Sequence, residues 1–430
     1  MSTEPVPAAP EPDLAATAAA LADAVVEDEA VEQPTLPTLQ LSAPVPTPIE
    51  TAAELSELLH ALRTADGPVA IDAERASGYR YGQRAYLVQL RREGAGTWLI
   101  DPLGLPDLTA LNDEIGRHEW VLHAASQDIP CLAEIGLRPQ RIFDTELGAR
   151  LAGYERVGLA AMVETVLGYN LEKGHSSADW STRPLPEAML RYAALDVEVL
   201  VSLRDHLEEV LREQGKWEWA QEEFAAVAAT PPAAPRVDPW RRTSGIHRLR
   251  TRRQLANLRS LWTLRDDTAR RRDIAPGRIL PDAAMVEAAL RSPATVDELL
   301  QLPVFSGRAN RRRGALWFSA LQSAAALPDE ALPTASAPGE GPPPAHRWSE
   351  RDPVAAHRLA TARAAVLELA AAHELPVENL IEPAVVRRLS WSPPDPVDEA
   401  AIRALMTEAG ARPWQIELTA PALTAALADA

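Results

Sequence analysis

Five side chains able to do chemistry stand at spacings that folding alone does not explain. Asp72 and Glu74 lie two apart in the run Val69-Ala-Ile-Asp-Ala-Glu74. Residues i and i+2 of a strand point to one face, so both carboxylates project together. Asp128 follows a second apolar run, Trp120-Val-Leu-His-Ala124, where a helix begins. Tyr192 and Asp196 are four apart in a helical pattern and therefore share a face. Each feature alone has an ordinary explanation: an edge-strand pair, a helix-dipole carboxylate, a surface pair on a helix. Brought together, four carboxylates would repel and raise one another's pKa unless divalent cations neutralised them. A ligand set of oxygens, with neither sulfur nor histidine, suits Mg²⁺ or Mn²⁺. Two such ions ~3.5–4 Å apart can activate a water and stabilise the leaving oxygen of a phosphodiester. A tyrosine hydroxyl with an ordinary pKa near ~10 suits orienting that water better than deprotonating it.

Strands and helices must alternate to position these groups. Strands are expected at 69–74, 85–90, 97–101 and 120–124, with a short extended piece at 141–143. Helices are expected near 107–117, 128–135, 144–152 and 158–168. A long helix is expected from about Pro186 to Gln214, with proline at its start and Gly215 just past its end. Three strands joined by short Gly-bearing connections precede the first of these helices. The pattern predicts a mixed sheet with an antiparallel ribbon, flanked by helices.

With these blocks in order, residues 50–215 resemble the DEDD exonuclease superfamily, its Tyr-containing branch, and within it the ribonuclease D family. The resemblance rests on Ile71-Asp-Ala-Glu74, Leu87-Val-Gln-Leu90, Leu122-His-Ala-Ala-Ser-Gln-Asp128 and Ile142-Phe-Asp-Thr-Glu146. It continues through Lys173, Asp179-Trp-Ser-Thr-Arg-Pro-Leu185 and Tyr192-Ala-Ala-Leu-Asp-Val197. It implies a ribonuclease H-like α/β exonuclease fold. It also implies that Asp72, Glu74, Asp128 and Asp196 bind two metal ions (Mg²⁺ or Mn²⁺), with Tyr192 positioning the nucleophilic water. The implied reaction is 3′→5′ hydrolysis releasing nucleoside 5′-monophosphates, with tRNA precursors or other structured RNAs carrying 3′ tails as substrates. One departure stands out. The family commonly has Asp-Thr-Glu followed by an aromatic, whereas this chain has Asp72-Ala-Glu74-Arg75. Ala73 should face away from the carboxylates; Arg75 bears on how the terminal nucleotide is held.

Several neighbours carry two readings each. Gln89 either hydrogen-bonds near the site or satisfies backbone. His123 is either a core histidine or a substrate contact. Trp180 and Arg183, in the loop before the long helix, are either structural or substrate-facing. Asp144 most simply caps the helix that follows it, and Cys131 reads as a small buried hydrophobe.

The 430 residues carry a net charge of −18, which is unevenly spread. Residues 1–50 hold nine acids and no Lys or Arg, while residues 236–326 hold 18 arginines against eight acids. A basic segment inside an acidic chain is the footprint of a nucleic-acid contact. Arg252, Arg253, Arg271, Arg272, Arg311, Arg312 and Arg313 are its phosphate-binding candidates, against the alternative of a solvated helix face. Trp240-Arg-Arg, Leu258–Asp282 with Arg265-Asp266 and Ala269, and Ile274-Ala-Pro-Gly-Arg-Ile-Leu280 resemble the helicase-and-ribonuclease-D C-terminal (HRDC) domain, a small helical bundle. Residues 347–430 look helical and resemble, more weakly, the second C-terminal helical domain of ribonuclease D proteins.

Pro-rich stretches set the expected boundaries: an acidic disordered tail at 1–49, the exonuclease domain at 50–228 and a linker at 229–239. The HRDC-type domain follows at 240–326, then a second linker at 327–346 and a helical domain at 347–430. A single cysteine excludes an intramolecular disulfide framework and a cysteine-based zinc cluster. No apolar run approaches the ~18 residues of a membrane span, and the first residues carry no basic stretch of a secretory signal. The expectation is a cytoplasmic enzyme bound to RNA and to no membrane, its oligomeric state open with a monomer favoured. The competing expectations are a DNA 3′→5′ exonuclease and a non-catalytic RNA-binding scaffold.

Overall fold

The computed structural model describes residues 36–172, 174–232, 234–334 and 341–428. The expected tail up to residue 35, Lys173 and the 335–340 part of the second linker lie outside the described residues. The first domain runs α1 (Ala52–Arg63), β1 (Asp66–Arg75), β2 (Ala85–Glu93), β3 (Gly96–Ile100), α2 (Thr109–Ile115), β4 (Glu119–Leu122), α3 (Ile129–Glu134), β5 (Arg141–Asp144) and α4 (Thr145–Leu151). It continues with α5 (Leu159–Met162, extended by a π turn to Leu167), α6 (Glu187–Glu198), α7 (Leu200–Glu213) and α8 (Trp217–Ala228). The strand order is β3-β2-β1-β4-β5. β1 pairs antiparallel with β2 and parallel with β4, and β5 runs parallel to β4. This is the expected mixed sheet, with the Asp-x-Glu strand at its centre.

The reasons are local. In β1, Val69, Ala70 and Ile71 are wholly buried, as befits a central strand covered on both faces. α1 opens with a reciprocal capping box between Thr51 and Glu54 and buries Leu55, Leu58, Leu59 and Leu62. The sequence expectations omit this helix, although Thr51-x-x-Glu54 announces it. They also place one helix across 186–214, where the structure has two, broken at Val199. α6 packs on β1, β2 and β3, whereas α7 packs on β1, β4 and the α5 region. A single straight axis could not cover both the antiparallel and the parallel halves of a twisted sheet.

The boundary expected at residue 49 moves. Thr38 bridges Asn170, and the Leu39 N–H donates to the Asn170 carbonyl at 2.9 Å. Ile49, 5% exposed, bridges Ile100 at the sheet edge. Residues 38–49 are therefore part of the folded domain rather than of a disordered tail.

The middle domain contains α9 (Arg252–Arg272), α10 (Pro276–Ile279), α11 (Asp282–Arg291), α12 (Val296–Leu300), α13 (Arg308–Arg311) and α14 (Gly314–Ala325). These close on their own core around Leu258, Leu261, Met285, Phe305 and Trp317. The last domain contains α15 (Trp348–Arg351), α16 (Pro353–Ala372), α17 (Val377–Leu380), α18 (Pro383–Trp391), α19 (Glu399–Glu408) and α20 (Pro413–Ala428). Its core is continuous with that of the first domain. Trp414 stacks on Trp219 at 5.0 Å and donates its indole N–H to Glu223 at 3.0 Å, while Arg412 pairs with the same carboxylate at 3.3 Å.

The middle domain is held differently, through the β1–β2 connection just after Glu74. The Ala275 N–H donates to the Tyr79 carbonyl at 2.9 Å, and Arg278 Nε to the Gly78 carbonyl at 2.7 Å. The Tyr81 hydroxyl sits 3.1 Å from the Asp266 carboxylate, and Arg278 lies 4.0 Å above the Tyr79 ring. The loop that leaves the Asp-x-Glu strand is thus the seat of the basic domain.

Candidate active site

Asp72, Glu74 and Asp196 each bring a carboxylate oxygen within 4.8 Å of the other two. Two of them ride on β1 and one on α6, so strand alternation and the crossing of α6 over β1 make the cluster. Ala73, on the other face of β1, is buried in the main core. Asp128, at the start of α3, lines the same cleft close enough to Asp72 for the two carboxyls to interact electrostatically. Tyr192, one turn before Asp196, lines the cleft beside it. Its ring is held edge-on by His175 at 5.7 Å and tilted against Trp180 at 6.4 Å. All five residues line one cleft of about 540 Å³.

The electrostatics follow from crowding. Burial raises the Asp72, Asp128 and Asp196 carboxyls above the usual range, and mutual repulsion adds to it for Asp128 and Asp196. Glu74, 8% exposed, is pushed up to about 10 by burial and then by Asp72, Asp196 and Asp128. Burial followed by the charges of Asp196, Glu74 and Asp72 raises the Tyr192 hydroxyl as well. Acids so placed are strained toward neutrality unless positive charge joins them, and an all-oxygen cage fits a hard divalent cation. Divalent metal use is what this cluster implies.

The positioning of Asp128 depends on a residue whose wider role the sequence did not reveal. Asp144 caps α4 as expected, accepting from the Glu146 and Leu147 N–H groups. It also accepts from the N–H groups of Ala124 and Ala125 at 3.0 and 2.8 Å. Ala124 has φ 58°, a left-handed turn that L-residues rarely adopt, and this clamp holds it there. Helix α3 and Asp128 leave directly from that turn. Gln127, Glu146 and Glu172 also line the cleft and were not singled out.

The neighbours divide. His123 lines the cleft; its Nδ1 lies 2.9 Å from the Thr145 hydroxyl, which donates to the Leu122 carbonyl. That hydroxyl must therefore accept from Nδ1–H, leaving Nε2 as a lone-pair acceptor. Burial lowers the ring to about 4, so it is neutral near pH 7. Gln89 is opposite Asp72 in the β1–β2 register, fully buried, and neither atom of its amide has a partner among the described residues. It shares the face of Asp72, as directly opposite residues of an antiparallel pair do, but does not line the cleft.

Trp180 and Arg183 do not line the cleft. Trp180 is wholly buried and donates to the His175 carbonyl. Arg183 pairs with Asp101 at 2.5 Å and donates to the Trp180, Thr182 and Tyr86 carbonyls. Arg183 thus ties the loop to the β2 and β3 ends of the sheet. Cys131 is buried as expected.

In the basic domain the arginine candidates also separate. Arg252 donates to the Asp329, Leu332 and Pro333 carbonyls, and Arg253 to the Ala324, Ala325 and Leu327 carbonyls. Both satisfy carbonyls at or just beyond the end of α14, which removes them as phosphate contacts. Arg271, Arg272, Arg311 and Arg312 are exposed and Arg313 is half-buried. Among the described residues the Arg272, Arg311, Arg312 and Arg313 side chains have no partner.

Comparison with known proteins agrees with this geometry. A family model described as 3'-5' exonuclease matches residues 46–212, an HRDC domain model matches 254–321, and a model described as 3' to 5' exonuclease C-terminal domain matches 341–427. Ribonuclease D of Gluconacetobacter diazotrophicus is 34% identical over 317 residues, covering 71% of this chain and 79% of that protein. A protein of known structure from Bifidobacterium adolescentis superposes with a TM-score of 0.84 at 37% identity, over 91% of this chain and 99% of that one. The Escherichia coli RNase D structure, described as an exoribonuclease involved in structured RNA processing, superposes with a TM-score of 0.65 at 26% identity, over 89% of this chain and 99% of that one.

Proposed function

The chain belongs to the ribonuclease D family and is a 3′→5′ exoribonuclease; from that premise we propose that Asp72, Glu74, Asp128 and Asp196 hold two Mg²⁺ or Mn²⁺ ions and that Tyr192 orients the attacking water. The observation that carries this reading is the meeting of β1 and α6 carboxylates within 4.8 Å, with the Asp72–Asp128 pair beside them. When bound, such ions neutralise the cage, lower the pKa of a coordinated water and stabilise the leaving oxygen. The protein's own part is positional. Asp144 fixes the turn that aims Asp128. The Tyr192 hydroxyl, its pKa raised, stays protonated at neutral pH and works as a hydrogen-bonding group rather than as a base. Attack at the last phosphodiester breaks the bond to the 3′ oxygen of the preceding nucleotide and releases a nucleoside 5′-monophosphate.

Structured RNAs with short 3′ tails, tRNA precursors first, are the substrates we propose, with the cytoplasm as the location. No described helix is long and apolar enough to cross a membrane. The exposed Arg271, Arg272, Arg311 and Arg312 supply a backbone contact that reads no sequence. Incubating 3′-extended tRNA precursor with Mg²⁺ tests the reading. Stepwise loss from the 3′ end with 5′-monophosphate products, abolished by EDTA, is expected; internal cleavage or 3′-phosphate products would refute it.

Three variants probe separate parts of this reading. Tyr192→Phe keeps the ring packing and removes the hydroxyl. Its kcat should fall about 10²-fold while Mn²⁺ affinity, read by calorimetry, changes less than about twofold. Arg253→Ala should cost about 2 kcal/mol of stability by orphaning the carbonyls at the end of α14. Arg311→Gln with Arg312→Gln should leave the melting temperature nearly unchanged and flatten the salt dependence of RNA binding, its log–log slope falling by about 1.4.

A further inference from the structure

The cleft has an unspent cation. Among the described residues lining it are six carboxylates and one arginine, Arg75. A phosphodiester is repelled by the carboxylates, so any fixed positive charge in the cleft decides how it is held. By strand alternation Arg75 should face away from Asp72 and Glu74. It lines the cleft all the same, at the end of β1 where the β1–β2 register shifts by an extra β2 residue, Tyr86. The guanidinium emerges beside Asp128, its Nη2 3.9 Å from the nearest carboxylate oxygen, beyond hydrogen-bond reach, and its side chain is 29% exposed. It makes no hydrogen bond with any other described residue. Arg80 and Arg183, by contrast, are committed to Ser181 and Asp101. A planar fork with free donors at a cleft built for an anion matches the non-bridging oxygens of a phosphate.

We propose that Arg75 is a catalytic residue that grips the phosphate of the 3′-terminal nucleotide, donating to its non-bridging oxygens during attack and to the 5′-phosphate of the product afterwards. The assignment rests on the exonuclease reading and deepens it, since it adds a fixed protein cation to the site. A guanidinium that served only to balance Asp128 would behave differently, because it would tune cation affinity and ignore the nucleotide's phosphate.

The test uses the full chain with Ca²⁺ and measures the affinity of adenosine 5′-monophosphate and of adenosine by calorimetry. In Arg75→Gln the monophosphate should bind ~10–100-fold more weakly, with adenosine unchanged within about twofold. Arg75→Lys should fall between, keeping the charge without the fork. Unchanged monophosphate affinity, or an equal loss for both ligands, would overturn the assignment. Should Arg75→Gln fail to fold, the same comparison on Arg75→Lys decides: a monophosphate affinity equal to wild type counts against the fork, and a selective loss supports it. The wild-type chain, assayed alongside on RNA with Mg²⁺, keeps the two readings apart. Nucleotide release by the wild type with no selective loss in the variants removes only the Arg75 assignment, whereas no release by the wild type removes the exonuclease mechanism itself.

Discussion

Asp72→Asn should end RNA hydrolysis without unfolding the chain. Asp72 belongs to the three-carboxylate cluster and lines the cleft beside Asp128, so its loss weakens the cage at both ends. Ion-derived stabilisation of the transition state is several kcal/mol, and each ~1.4 kcal/mol is tenfold in rate, so kcat should fall by at least ~10³-fold. Asp196→Asn should do the same, because α6 delivers the third oxygen. The fold should persist, since neither carboxylate holds a backbone element in place. A single-turnover assay on 3′-labelled RNA beside a melting curve separates the effects. Either variant retaining more than about a tenth of wild-type rate would exclude these residues as ion ligands.

The second large effect is on stability. Without cations the folded chain binds more protons than the unfolded chain above about pH 4, because the pKa values of Asp72, Glu74, Asp128 and Asp196 are all raised. The sign is fixed by that excess. Stability from these groups is fully present below the ordinary carboxylate range and is lost as pH rises toward the Glu74 value of about 10. Each excess proton contributes a slope of about −1.4 kcal/mol per pH unit. In EDTA the melting temperature should therefore fall between pH 5 and 9. Saturating Mg²⁺ should offset part of the fall, with about 2.7 kcal/mol regained per ion at a hundredfold excess over Kd. Glu74→Gln isolates the cluster from other titrating groups, since its EDTA profile should be flatter than that of the wild type. Parallel profiles for the two proteins would show that the carboxylates are not forced together.

The sheet and its central carboxylates can be read from the residues because strand period and helix period are local rules. Asp72-x-Glu74 and Tyr192-x-x-x-Asp196 each fix a face without knowledge of the rest. The other elements needed partners far along the chain. The break at Val199 is invisible to a helical pattern that runs through it, since it comes from α6 and α7 covering different halves of the sheet. Arg183, Arg252 and Arg253 look like phosphate binders until the carbonyls they meet are known. Those carbonyls lie 71 to 97 residues away for the Tyr86, Ala324 and Leu332 contacts. Residues 38–49 read as more of the tail by composition, yet Ile49 completes a sheet edge. The clamp of Asp144 on the Ala124–Ala125 turn crosses from β5 to β4 and has no local signature beyond a capping residue. Conversely, the capping box at Thr51 and Glu54 was available in the sequence and marks α1.

Diffraction from crystals soaked in Mn²⁺, recorded at the manganese absorption edge, tests the central claim most directly. Two anomalous peaks within the cleft, flanked by Asp72, Glu74, Asp128 and Asp196 and absent from Asp72→Asn crystals, are the predicted result. A cleft that stays empty at saturating Mn²⁺ while wild-type protein in the same ion trims RNA would contradict it.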